Sequence, residues 1–108
     1  MSNLELNQEY KKALEIWFNF YAYKTDGMKP KFGAIEGRKL KSILRSLDYP
    51  NTKPSQNFRA ILVKWDNLDP WLKQNCMDLK VFESKLNVIL IKLYNGYSKV
   101  QQRINSYS

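Results

Sequence analysis

The chain has 108 residues, of which 44% are hydrophobic, 14% aromatic and 26% charged. That is room for one folded domain, in a composition too apolar for a disordered chain. Eighteen Lys and Arg stand against ten Asp and Glu, for a net charge of +8, with no histidine and one cysteine, Cys76. These counts exclude an intramolecular disulfide, a cysteine- or histidine-ligated zinc site and any nucleophile that needs a histidine partner.

The first predicted helix runs from residue 4 to residue 24. Tyr10, Ala13, Leu14, Trp17 and Tyr21 form one stripe at helical spacing, widened by Ile16, Phe20 and Tyr23 on one side and by Phe18 on the other. Thr25, Asp26 and Gly27 end it, with Gly27 suited to a left-handed position. After a short loop through Phe32, in which Pro30 disfavours helix at Lys29, a second helix is predicted over residues 33–47. Leu40, Ile43, Leu44 and Leu47 face inward there, and Gly37, near the same face, invites a close helix neighbour.

A turn over residues 48–51 leads to a third helix over residues 54–65, burying Phe58, Ile61, Leu62 and Trp65 and opened by Pro54. Asp69 and Pro70 read as a cap followed by a first-turn proline, opening a short helix to Cys76. The last helix is predicted over residues 78–95, with Leu79, Phe82, Leu86, Ile89, Leu90 and Leu93 in its core stripe. Val81, Val88 and Ile91 fall elsewhere on its wheel, so this helix is either central or shared with a partner. Gly96 is a natural stop, and residues 97–108 are a polar tail expected to fray. The fold class predicted is all-α: a single domain over residues 1–96, built as a compact bundle of four main helices plus one short helix.

The sequence contains no dinucleotide-binding glycine motif, P-loop or EF-hand loop. Its apolar runs are too short to span a bilayer, and the acidic, polar first ten residues do not make a signal peptide. With one thiol, a cytoplasmic setting is expected. Asp66 and Asp69 read as turn and cap residues, Cys76 as a packed thiol, and neither a metal nor a cofactor is expected.

The charge is concentrated. Residues 1–23 carry a net −1, residues 24–64 a net +7 and residues 65–108 a net +2. On the second helix Arg38, Lys41 and Arg45 are spaced i, i+3, i+7 opposite the leucine stripe, with Ser42 among them and Lys39 at the border. Lys29 and Lys31 precede them in the loop. Arginine forks onto phosphate, lysine supplies a mobile point charge and serine a neutral donor. The amides of residues 33–35 offer a further phosphate position. This pattern fits nucleic-acid binding. It also fits a solvated helix face, an anionic membrane surface or an acidic protein. Phe32 and Tyr49, the aromatics interleaved with this charge, are candidates for stacking on bases; the alternatives are a hydrophobic staple for Phe32 and a turn-packing ring for Tyr49. Trp17, Trp65 and Phe82 are predicted core, and Trp71 a partly exposed partner anchor.

An ordered series runs from Trp17-Phe18-Asn19-Phe20-Tyr21 through Lys24-Thr25, Lys29-Pro30-Lys31-Phe32 and Glu36-Gly37-Arg38-Lys39-Leu40-Lys41-Ser42-Ile43. Trp65-Asp66-Asn67-Leu68-Asp69-Pro70-Trp71 and Phe82-Glu83-Ser84-Lys85-Leu86-Asn87 continue it. The series, spanning about residues 14–95, resembles a small helical domain of replication-type proteins of bacterial phages and mobile elements, which typically follows a winged-helix domain. The resemblance implies an initiator-like or helicase-loader-like accessory role near DNA, and Lys29, Lys31, Arg38, Lys39 and Lys41 match its basic part. No winged-helix segment precedes Leu14, so a stand-alone helical module is expected. The function expected is non-enzymatic binding of nucleic acid, DNA rather than RNA. Its contacts would be Lys29, Lys31, Arg38, Lys39, Lys41 and Arg45, extended by Lys53 and Arg59 if the third helix lies alongside. The competing expectation is a protein-interaction module, self-associating or binding a partner through the apolar last helix.

Overall fold

In the computed structural model, which describes residues 1–94, the first helix opens on a serine cap. Ser2 Oγ accepts the Glu5 backbone N–H at 3.1 Å, and α1 runs Asn3–Lys24. It ends as its sequence requires: Asp26 and Gly27 both take positive φ, at 57° and 92°, and the Gly27 N–H returns to the Ala22 carbonyl at 2.7 Å.

α2 spans Ala34–Ser46. Its first turn is closed by Glu36, whose Oε1 accepts the Gly33 N–H at 2.9 Å. α3 spans Pro54–Val63, with Gln56 accepting the Lys53 N–H in the same way at 3.1 Å. It stops short of the predicted end. Trp65 belongs to a 3-10 turn, Trp65–Asn67, that folds its ring back under Phe20 at 5.1 Å between centroids. α4 is the predicted short helix, Pro70–Asn75, capped by Asp69 through the Leu72 N–H at 3.0 Å.

The predicted last helix is broken. α5 covers Leu79–Ser84, and after a turn at Lys85 residues 86–94 form a separate helical stretch, α6. The Ser84 hydroxyl donates to the Val81 carbonyl at 2.8 Å, and such back-bonding bends helices. Gly96 and the tail over residues 97–108 lie outside the described residues.

Contacts fix how the helices run. Glu9 meets Ser55, Trp17 meets Phe58, Phe20 meets Trp65 and Lys24 meets Asp66, so α1 and α3 are parallel. Tyr10 lies at Gly37 and Phe18 at Phe32, so α2 returns antiparallel to α1. α2 also packs on α3 and α5. The bundle is all-α, with no strand among the described residues.

The core follows the predicted stripes. Ala13, Trp17, Leu40, Ile43, Leu44, Leu47, Phe58, Ile61, Phe82 and Ile89 are buried. Trp17 is its hub, with its ring centroid 5.7 Å from Phe20, 6.1 Å from Phe58 and 6.0 Å from Phe82. Trp65 stacks on Phe82 at 5.8 Å. Aromatic pairs at these separations add about 0.5–1.5 kcal/mol each beyond the area they bury. Tyr23, which the wheel placed beside Ile16 and Phe20, is instead 80% exposed. α3 ends at Val63 and the chain turns inward at Trp65, and Tyr23 borders the open groove beside Val63.

Candidate nucleic-acid interface

The inward stripe of α2 dictates which of its side chains face water. With Leu40, Ile43, Leu44 and Leu47 fully buried, helical geometry turns Arg38 and Arg45 to the opposite side, and both are exposed. Lys41 sits at the border facing α1, half-buried, with its ammonium 4.9 Å from the centre of the Tyr10 ring. Lys39 sits at the other border, where its Nζ is 3.4 Å from Glu83 Oε2 on α5. Lys29 and Lys31 are exposed in the loop ahead of α2.

Four lysines of the described residues are paired with carboxylates. Lys12 pairs with Glu9, Lys24 with Asp66, Lys39 with Glu83 and Lys92 with Asp69. Among the described residues, Lys29, Lys31, Arg38, Lys41 and Arg45 pair with no carboxylate. Five basic groups thus stand uncompensated on α2 and its leading loop, while Lys39 is held by its neighbour. The amide of Gly33, one of those read as open to phosphate, is taken by Glu36. The face also carries Ser42, and the exposed side chain of Ile35 shares a turn with Arg38.

The two stacking candidates do not lie open on this face. Phe32 is half-buried against Phe18, 5.5 Å between centroids, with its ring edge over Gly37, the position where a staple residue packs. Tyr49 is 46% exposed but borders a depression with Gln8, Lys12 and Lys53, off the α2 face. Lys53 and Arg59 do not extend the α2 surface either. They line a groove between α1 and α3 that no α2 residue enters.

One residue with a defined role was not foreseen. Glu9, on the buried stripe of α1, accepts the Ser55 backbone N–H at 2.9 Å and so caps α3 from another helix. The acidic residue amid apolar neighbours was a visible signal; its partner was not.

Of the remaining groups, Cys76 is fully buried and burial pushes its thiol up to about 11. No group of three His, Cys, Asp or Glu among the described residues could hold a metal ion. No helix among them is long and apolar enough to cross a membrane. Comparison with known proteins returns no matching family model, no similar curated protein and no similar solved structure.

Proposed function

We propose that this chain is a non-enzymatic DNA-binding module that holds phosphates on the exposed face of α2. Arg38 and Arg45 are the central contacts, Lys41 flanks them from the α1 side, and Lys29 and Lys31 extend the surface toward the loop. The observation that supports this reading is the concentration of five basic side chains without carboxylate partners within α2 and the loop that leads into it. Charge left uncompensated on α2 and its leading loop costs self-repulsion, and a polyanion relieves it. Read with the resemblance to phage and mobile-element replication modules, the DNA is that of a replicating element and the role is accessory.

Fluorescence anisotropy with a labelled duplex across a salt series tests this. Three to five neutralised phosphates give a log-log slope of about −2.7 to −4.5. Reversing Arg38, Lys41 and Arg45 to glutamate should abolish binding while circular dichroism stays unchanged. Binding equal to that of the parent overturns the proposal.

A second reading has its own support. Trp71 on α4 and Val88 and Ile91 on α6 are 54%, 41% and 59% exposed. Lys85 over the Trp71 ring and Lys92 near Asp69 bracket Val88 against α4. Exposed large apolar side chains of this kind are the anchors that protein partners cover. Sedimentation at several concentrations, and its change in Trp71→Ala, tests self-association through them.

A further inference from the structure

The α2 face offers charge and hydroxyl donors but no freely exposed ring. A second surface offers what it lacks. The groove between α1 and α3 is lined by Lys12, Asn19 and Tyr23 from one helix and Lys53, Arg59 and Val63 from the other side. Because the two helices are parallel, the groove has a basic end at Lys53, where Lys12 is paired with Glu9, and an open aromatic end at Tyr23, with Arg59 between them. Lys53 and Arg59, both exposed, have no carboxylate partner among the described residues. Of the two carboxylates in the groove, Asp66 is held by Lys24 at 2.8 Å, and Glu15 lies on the α1 wall. The α3 side is thus the positive wall.

Tyr23 is the most exposed large ring of the described structure, at 80%. The Lys24 ammonium stands 5.5 Å from its centroid, and a cation on one face of a ring leaves the other face for a flat partner. Val63, 76% exposed, adds an apolar floor at the same end. A bare ring at the end of a cationic groove is what unpaired bases need: phosphates follow the charges and a base stacks on the aromatic. A duplex keeps its bases stacked on one another and cannot use the ring.

We propose that the α1–α3 groove binds a single-stranded nucleic-acid segment, with phosphates on Lys53 and Arg59 and a base stacked on Tyr23. This site is separate from the α2 face and stands or falls independently of it.

The test is anisotropy on the full chain with labelled oligo-dT and, in parallel, a labelled duplex. Tyr23→Ala should weaken oligo-dT binding about tenfold or more and leave duplex binding within about twofold. Lys53→Glu with Arg59→Glu should do the same and flatten the salt dependence for oligo-dT. Arg38→Glu with Arg45→Glu should show the opposite preference, which separates failure of this site from failure of the α2 reading. All five positions are exposed, and unchanged melting temperatures confirm that the fold is kept. Photocrosslinking with iodouridine in the oligonucleotide should label the peptide containing Tyr23. Oligo-dT binding that survives both groove variants overturns the proposal. So does equal loss of oligo-dT and duplex binding in Tyr23→Ala, or displacement by polyglutamate as effective as by unlabelled oligo-dT.

Discussion

The carboxylate of Glu9 on α1 accepts the backbone N–H of Ser55 in the first turn of α3, at 2.9 Å and 46 residues away. One helix thereby caps another that runs parallel to it, and a negative charge rests at the positive end of the α3 dipole. Removing the acceptor leaves a buried amide without a partner. Glu9→Ala should therefore destabilise the protein by about 1–3 kcal/mol in urea denaturation, and Glu9→Gln, which keeps an acceptor, by less.

The same contact sets an acid limb in stability. Burial works to raise the Glu9 carboxyl, but the hydrogen bonds from Ser55 and the charge of Lys12 outweigh it together, and the net shift is below the ordinary 4.5. A group lowered on folding stabilises the fold fully above its unfolded value and loses that contribution as pH falls through its folded value. Thermal melts between pH 6 and pH 3 should fall more steeply for the parent than for Glu9→Gln. Parallel curves would show that Glu9 does not set the acid limb.

Gly37 is a packing requirement. A β-carbon there would stand 2.8 Å from the Tyr10 hydroxyl oxygen but 3.8 Å from the ring carbon that bears it. Alanine in mid-helix is intrinsically better than glycine by about 1 kcal/mol, so the sign of Gly37→Ala turns on that oxygen. Gly37→Ala alone should destabilise. In a Tyr10→Phe background, where the contact becomes ordinary, the same substitution should stabilise. A double-mutant cycle by chemical denaturation reads the coupling.

Lys39 and Arg38 are adjacent and should behave differently. Lys39 is engaged by Glu83 at 3.4 Å, while Arg38 has no such partner among the described residues. Arg38→Ala should reduce the salt slope of duplex binding by about 1, and Lys39→Ala by clearly less. Glu83→Gln releases Lys39 and should tighten binding. The reverse order for Lys39 and Arg38 would place the phosphate track on the α5 side of α2.

Cys76 should be silent in the native state. It is fully buried and its thiol sits at about 11, so the reactive thiolate is scarce at pH 8. Ellman's reagent should label it only as fast as the protein opens, and immediately in guanidinium.

Periodicity carried most of the fold. The α2 stripe of Leu40, Ile43, Leu44 and Leu47 is buried to the last residue, because one amphipathic face against one core is all that a 3.6-residue repeat encodes. The break at Lys85 was hidden by the same regularity. Leu79, Phe82, Leu86 and Ile89 are buried on both sides of it, so the stripe runs through uninterrupted while the backbone does not. The concentration of charge was legible, whereas the pairing of Lys39 with Glu83 and the packing of Phe32 on Phe18 depend on contacts between separate segments of the chain. Tyr23 shares the wheel with Ile16 and Phe20 yet is exposed, because periodicity does not encode what packs against the end of a helix.

Trp17 touches Phe58 on α3 and Phe82 on α5 at once, so no contiguous stretch of the chain owns the core. Its central ring closes only when segments far apart in sequence meet, and such non-local closure slows folding relative to bundles built from neighbouring helices. During synthesis α1 cannot complete the burial of its tryptophan until Phe82 has been made. A nascent chain stopped before Leu79 would present that ring, with Phe58 and Trp65, to whatever chaperone waits at the exit tunnel.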